Sequence, residues 1–218
     1  MIVKEPWFLT FYNMDKEELL QSLREKKFPK EIVDAFSKIN REDFLPHSLK
    51  KMAYEDTALP IGNGQTISQP YTIALMLSEL DLKKGQKVLE IGSGSGYVLA
   101  LIAEIIGEKG KIFGLEIIPT LVKKSKENLE NYRNVKIYKK NGSNGFPEEA
   151  RFDRILVSAA LREVPEKLMD QLKHKGILVA PQGSRFEQEI IVIQRKTETE
   201  FEMIKRLPGF IFVPFVEE

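Results

Sequence analysis

At 218 residues the chain is long enough for one α/β domain with a short appendage and too short for two comfortable domains. Its 33 Lys and Arg against 32 Asp and Glu leave a formal net charge of +1, so there is no global positive field of the kind nucleic-acid binders carry, and no nucleic-acid partner is expected. The absence of cysteine excludes disulfides, thiolate nucleophiles and zinc–thiolate sites together, and with only His47 and His174 as imidazoles no metal is expected.

The chain opens on a brief apolar stretch, Met1–Leu9, that charge and Pro6 interrupt before it reaches membrane-spanning length. A cytoplasmic protein with no membrane partner is the expectation. Trp7, Phe8, Phe11 and Tyr12 form an aromatic cluster that either docks on the domain or covers a ligand site. Asp15 is suited to cap a helix over about 16–26, whose apolar face is Leu19, Leu20 and Leu23. Pro29 opens a second helix carrying Ile32, Val33, Phe36 and Ile39, and Arg41–Pro46 ends it in a turn. Residues 54–70 then lose periodicity and become dense in hydroxyl, amide and glycine, a composition that is functional more often than it is a connector. Helix resumes over 71–80. Residues 1–80 thus read as a helical cap with a loop, and 81–218 as the core on which it packs.

From Lys87 the pattern alternates. Apolar β-rich runs fall at 87–91, 111–117, 135–139, 153–158, 176–180, 189–195 and 210–216, with helical patterns after the first, second and fourth. This predicts a Rossmann-like α/β fold: a mostly parallel seven-stranded sheet covered by helices, with ligands at the carboxyl ends of its strands.

The first of these strands enters Glu90-Ile91-Gly92-Ser93-Gly94-Ser95-Gly96, a glycine turn opening a helix. Such a turn lets backbone approach a ligand where a Cβ would collide, and the helix start adds free N–H groups. The glycine spacing lacks the third glycine of a dinucleotide fingerprint, which disfavours NAD. Glu90 would set a carboxylate beside the ligand, suited to the cationic amino-acid moiety of S-adenosylmethionine. A tight turn without a ligand is the other reading. Glu116, a little over twenty positions beyond Gly92, has the spacing of a carboxylate that accepts from both ribose hydroxyls, with Ile117 following it. Asn141 and Gly142 lie after the third strand, where an adenine would rest. The lysines at 123, 124, 126, 139 and 140 read as solvated faces. After the fourth strand Val157, Ser158, Ala159 and Ala160 leave backbone open to a peptide, and no Asn/Asp-Pro-Pro-aromatic clamp of amino-methylating enzymes is present.

Taken together, Ala53–Gly62, Gly64–Tyr71, Val88–Tyr97, Pro181–Ser184 and Phe212–Pro214 resemble the protein L-isoaspartate (D-aspartate) O-methyltransferases, which repair damaged proteins. The glycine motif is shared by most class I methyltransferases, whereas the Gly64–Pro70 block is far more specific. The resemblance implies a Rossmann-like fold with S-adenosylmethionine at the strand ends, contacted by Gln65, Thr66, Ile67 and Ser68 as well as the glycine turn. It also implies an active-site serine, Ser68, and a peptide cleft formed with Ile61, Ser158 and Arg162. The chain departs from the family twice. Asn141-Gly142 stands where Asp-Gly is usual. Leu161-Arg162 stands where Ala-Pro is usual, and either alters the peptide accepted or adds a positive charge that attracts carboxylate.

The implied chemistry needs no catalytic His or Cys. An isoaspartyl α-carboxylate is ionised at neutral pH and can attack a sulfonium methyl once positioned, with positioning contributing roughly 7–11 kcal/mol in favourable cases. The expected activity is methylation of that carboxylate in isoaspartyl-containing proteins and peptides, followed by spontaneous collapse of the ester to a succinimide. Methylation of another peptide carboxylate, and a non-catalytic cofactor-binding protein that recognises damaged chains, are the alternatives. The oligomeric state stays open, with a monomer favoured.

Overall fold

The computed structural model describes residues 14–216; the aromatic cluster at Trp7–Tyr12 lies outside the described residues. Helix α1 spans Lys16–Glu25, and its start is a capping box: the Asp15 carboxylate accepts from Glu18 N while Glu18 accepts from Asp15 N. Helix α2, Lys30–Lys38, begins directly after Pro29 and buries Ile32, Val33, Ala35 and Phe36. Two 3₁₀ turns, Arg41–Phe44 and His47–Met52, lead into the stretch that had no periodicity. It contains a short hairpin, β1 (Leu59–Gly62) and β2 (Gln65–Ile67), closed by Asn63 and Gly64 at positive φ, and runs straight into α3 (Pro70–Leu80).

The core follows as β3 (Lys87–Ile91), α4 (Tyr97–Ile106), β4 (Lys111–Glu116), α5 (Pro119–Asn128), β5 (Val135–Lys139) and β6 (Phe152–Val157). A single-turn helix α6 (Glu166–Met169) precedes the long strands β7 (Leu172–Gly183), β8 (Gln188–Arg195) and β9 (Phe201–Phe210). The seven-stranded sheet has the order β5-β4-β3-β6-β7-β8-β9. Its β5 to β7 half is parallel, and β8 and β9 add antiparallel hairpins. The order reverses between β3 and β6: β4 and β5 follow outward on one side of β3, and the chain then returns to lay β6 on its other side. That is where a crevice opens at the carboxyl ends of strands.

Alternation along each strand feeds two apolar layers. Val88, Ile112, Leu156, Val179 and Ile190 join the cluster under α1 to α4, while Leu89, Phe113, Ile155, Leu178 and Ile191 join the opposite one with Phe146 and Leu168. Helix α4 is buried on nearly every face, because α2 packs on the side that the sheet leaves open.

One strand lies elsewhere than the pattern predicts. The seventh strand is Phe201–Phe210, and the apolar run 210–216 continues beyond it as an irregular segment with a single bridge from Pro214 to Ala160. As an edge strand with most side chains exposed, β9 has no buried face to impose an apolar alternation, and Pro208 is tolerated there.

Candidate active site

Backbone bonds shape the turn after β3. Gly92 N and Ser93 N both donate to Leu115 O, tying the turn to the end of β4. Gly92, Gly94 and Gly96 have φ of +80°, +54° and +89°, which side-chain-bearing residues rarely adopt. Gly94 also lies so close to β1 that a Cβ would come 3.2 Å from Ile61 Cδ1. Glu116, last in β4, accepts from Gly94 N and Ile118 N, each at 2.9 Å. A carboxylate has about four lone-pair sites, so two stay available on the cleft side.

Two clefts meet over this turn. The first, with about 610 Å³ of open space, is lined by Gly92, Gly94, Glu116, Ile117, Asn141 and Gly142, with Gln65 and Ala159 at its rims. Gly142 is pressed against the sheet: a Cβ there would fall 2.1 Å from Ile91 Cγ2. The second holds Ile67, Ser68, Glu90, Ser93 and Ser95. Ile61, Thr66 and Ser158 line both. A further cleft, between Asp56–Thr72 and Gly209–Val213, again includes Thr66, Ser68 and Ser158. Ser158 therefore stands where all three converge.

Glu90 is only 1% exposed. Burial pushes its carboxyl up to about 8, nearby Glu116 adds to the rise, and the Ser158 hydroxyl, donating to Oε1 at 2.8 Å, opposes it. Its Oε2 has no partner among the described residues.

Four residues expected at the site do not line these three clefts. Gly96 turns away and lets the start of α4 press against α5, where a Cβ would meet Leu129 and Ser125 at 2.7 Å. Val157 points into the second apolar layer, fully buried, because the strand period sends its neighbour Ser158 to the cleft instead. Ala160 and Arg162 line a separate groove beside the C-terminal segment. Asn141 uses Oδ1 to accept from Ser143 N at 2.8 Å, and its Nδ2 is buried without a partner.

Other contributors carry no signal in the sequence pattern. Arg41, in a charged run that reads as a surface turn, is 0% exposed and donates to the carbonyls of Ala53, Glu55, Thr57 and Ser68. Burial pulls its guanidinium down to about 10, with Tyr97 and Asp56 opposing, so it stays cationic at neutral pH. Asp56 in turn accepts from Tyr71 N, at 2.8 Å, at the start of α3. The segment after β9 forms the other wall. Phe212 N donates to Gln188 Oε1 at 2.7 Å, while Ala160 N donates to Val213 O and Phe215 N to Ala160 O. Lys140, expected on a solvated face, lines the first cleft and pairs with Glu148 at 2.5 Å.

Residues 14–218 match the family model described as protein-L-isoaspartate(D-aspartate) O-methyltransferase. The chain belongs to this family. It is 43% identical over 205 residues to the protein-L-isoaspartate O-methyltransferase of Methanothrix thermoacetophila, covering 93% of this chain and 95% of that one. It is 42% identical over 207 residues to that of Ignicoccus hospitalis, covering 93% and 98%. A solved protein-L-isoaspartate O-methyltransferase superposes with a TM-score of 0.83 at 31% identity, over 92% of this chain and 65% of that one. The Plasmodium falciparum structure described as a putative isoaspartate methyltransferase in complex with S-adenosyl-L-homocysteine gives a TM-score of 0.81 at 28% identity, covering 94% and 100%. Against this methyltransferase family, the two departures fall in different places. Asn141 is on the first cleft, whereas Leu161 is buried, with its backbone bonded to Pro181 O and Gly183 N, and only Arg162 faces outward.

Proposed function

We propose that this chain uses S-adenosylmethionine to methylate the α-carboxylate of L-isoaspartyl residues in damaged proteins and peptides, initiating their repair through a succinimide. The observation that carries this reading is the convergence at Ser68 and Ser158 of the cleft over the glycine turn with a second cleft between residues 56–72 and 209–213. The residues present suit the cofactor: Gly94 leaves backbone room, Glu116 offers free carboxylate lone pairs to a ribose, and Asn141 and Gly142 line the same cleft as the apolar Ile117 and Ile118. Glu90, buried with an unpartnered oxygen, suits the ammonium of the amino-acid end. When bound, S-adenosylmethionine supplies an electrophilic methyl on a sulfonium.

The chain's own residues supply position and dryness. Ser68, whose carbonyl Arg41 holds at 3.1 Å, has its hydroxyl available to orient the incoming carboxylate. Phe212 and Ile67 make this junction apolar, which lowers the cost of bringing opposite charges together as they neutralise. Since the nucleophile is already ionised, no general base is required and turnover should be flat above pH 5 until groups of the protein titrate. A cytoplasmic monomer acting on isoaspartyl proteins completes this reading.

Incubation with radiolabelled cofactor and matched isoaspartyl and aspartyl peptides tests it. Labelling of the isoaspartyl peptide alone is expected, and equal labelling of both, or tight cofactor binding with no labelling, sinks the idea. Ser68→Ala is expected to lower kcat about 10- to 100-fold while leaving cofactor affinity within about twofold.

A further inference from the structure

Beside the clefts already described lies a groove lined by Ala160, Arg162, Arg185, Gln188, Phe212 and Phe215. It is formed where the end of β6, the β7–β8 turn and the C-terminal segment come together. Arg162 and Arg185 enter it from different elements and form no ion pair among the described residues. Their acidic sequence neighbours, Glu163 and Glu187, do not line it. A nearby third acid, Glu189, is engaged by Arg206. With a chain-wide charge of only +1, this is a local excess of unpaired positive charge and not part of a general basic surface.

The groove adjoins the polypeptide cleft, with Phe212 in the wall of both. A polypeptide laid across Ser68 and Ser158 advances about 3.3 Å per residue when extended, so residues a few positions from the reacting one reach past Phe212 to this groove. Phe212, Pro214 and Phe215 offer apolar flanks there. Aromatic side chains beside arginine suit a carboxylate-bearing side chain with an aliphatic stem.

We infer that the Arg162–Arg185 groove is a specificity subsite that selects isoaspartyl substrates bearing Glu or Asp a few residues from the damaged position. This rests on the isoaspartyl reading above and adds a preference in the surrounding sequence. The Glu or Asp carboxylate would be met at a partly solvated rim, where charge pairs set specificity and capture rate more than total affinity.

The test uses isoaspartyl peptides carrying three Glu, three Gln or three Lys on one flank or the other. For one flank, the wild-type chain at low salt is expected to show kcat/KM about tenfold higher for Glu than for Gln, with Lys lowest. Arg162→Gln with Arg185→Gln should bring the Glu-to-Gln ratio close to one, and Arg162→Glu with Arg185→Glu should invert the order in favour of Lys. Thermal melting within a few degrees of wild type establishes that these exposed substitutions leave the fold intact. A Glu-to-Gln ratio that stays the same in both double variants, or no preference on either flank, overturns the inference. Fluorescence anisotropy of the same labelled peptides reads the groove without methyl transfer. If none of the peptides is methylated the functional reading fails, while the binding order of Glu, Gln and Lys peptides still decides the subsite.

Discussion

Residues 88–96 and residues 53–69 face the same cleft, yet different bonds hold them in place. The first stretch is fixed by the sheet: β3 is laddered to β4 on one side and β6 on the other, and the turn after it is tied to Leu115 O by two backbone N–H groups. Its shape depends on glycine backbone, and the side chains that bond to it from other elements are few: Glu116 on Gly94 N, Asn128 on Ser95 O and Ser158 on Glu90. The second stretch has only the small β1–β2 hairpin of its own, and side chains from elsewhere impose its form. Arg41 gathers four of its carbonyls and Asp56 ties it to the start of α3. The C-terminal wall is held in the same manner, by Gln188 on Phe212. Single polar substitutions on the substrate walls should therefore uncouple methyl transfer from cofactor binding, and substitutions around the glycine turn should do the reverse.

The largest effect is expected at Arg41. Arg41→Met leaves four carbonyls without their donor and should cost about 3–5 kcal/mol, read from denaturant unfolding. Arg41→Lys keeps the charge but cannot reach all four carbonyls from one ammonium. It should fold, bind cofactor within about twofold of wild type and lose about tenfold or more in kcat. If Arg41→Lys weakened cofactor binding as much as it slowed turnover, the contrast between the two regions would collapse.

On the other side of that contrast, Glu116→Ala should weaken binding of S-adenosylhomocysteine about 100-fold, because hydrogen bonds to a charged group contribute about 1.5–3 kcal/mol and Gly94 N also loses its acceptor. The peptide KM at saturating cofactor should move little. Calorimetry showing unchanged cofactor binding would remove Glu116 from the ribose role. A smaller effect is expected from Gln188→Leu, which deletes the acceptor for Phe212 N at about 1 kcal/mol. The peptide KM should rise about threefold to tenfold with cofactor affinity unchanged; a change in cofactor affinity alone would show that the segment belongs to the cofactor side.

The same contrast explains what the sequence makes legible. The strands, the glycine turn and Glu116 follow from apolar periodicity and from the restricted set of residues that can form a tight strand-to-helix turn, and all lie close together in the chain. Val157 and Ser158 separate only when the register is known, since a shift by one residue exchanges core and cleft. Arg41 is hidden because its partners are carbonyls, which carry no residue identity; nothing at Ala53, Glu55 or Thr57 announces a bond to an arginine twelve to sixteen positions earlier. The run Phe210–Val216 looks like a strand because it is apolar, but its side chains are used to wall a cleft, while the edge strand before it buries too little to show a pattern. Family resemblance pointed to Ser68, which no periodicity could, and the fold places it on two of the clefts.

Glu90 belongs to both regions and gives the subtlest test. It sits in the rigid strand yet is bonded to Ser158, the residue at the junction of the clefts, and the groups facing it are the Ser158 hydroxyl and the Glu116 carboxylate. Burial raises its carboxyl from 4.5 to about 8, so between those values the folded chain without cofactor holds a proton that the unfolded chain has released. Stability contributed by this group is therefore present at and below pH 4.5 and is lost as pH rises toward 8. Glu90→Gln keeps the hydrogen-bonding shape and cannot titrate. Its stability relative to wild type should rise by about 3–4 kcal/mol between pH 5 and pH 8, measured by denaturant unfolding without cofactor. Cofactor binding should move in the opposite direction. If the ammonium of the cofactor pairs with Glu90, binding expels the proton below pH 8, and heats measured in buffers of different ionisation enthalpy should report about one proton released per site at pH 6–7. The variant should bind more weakly and release none. A stability difference independent of pH, or equal proton release by both proteins, would mean that Glu90 is a buried packing residue of β3 and that the cofactor's amino end is held elsewhere in the turn.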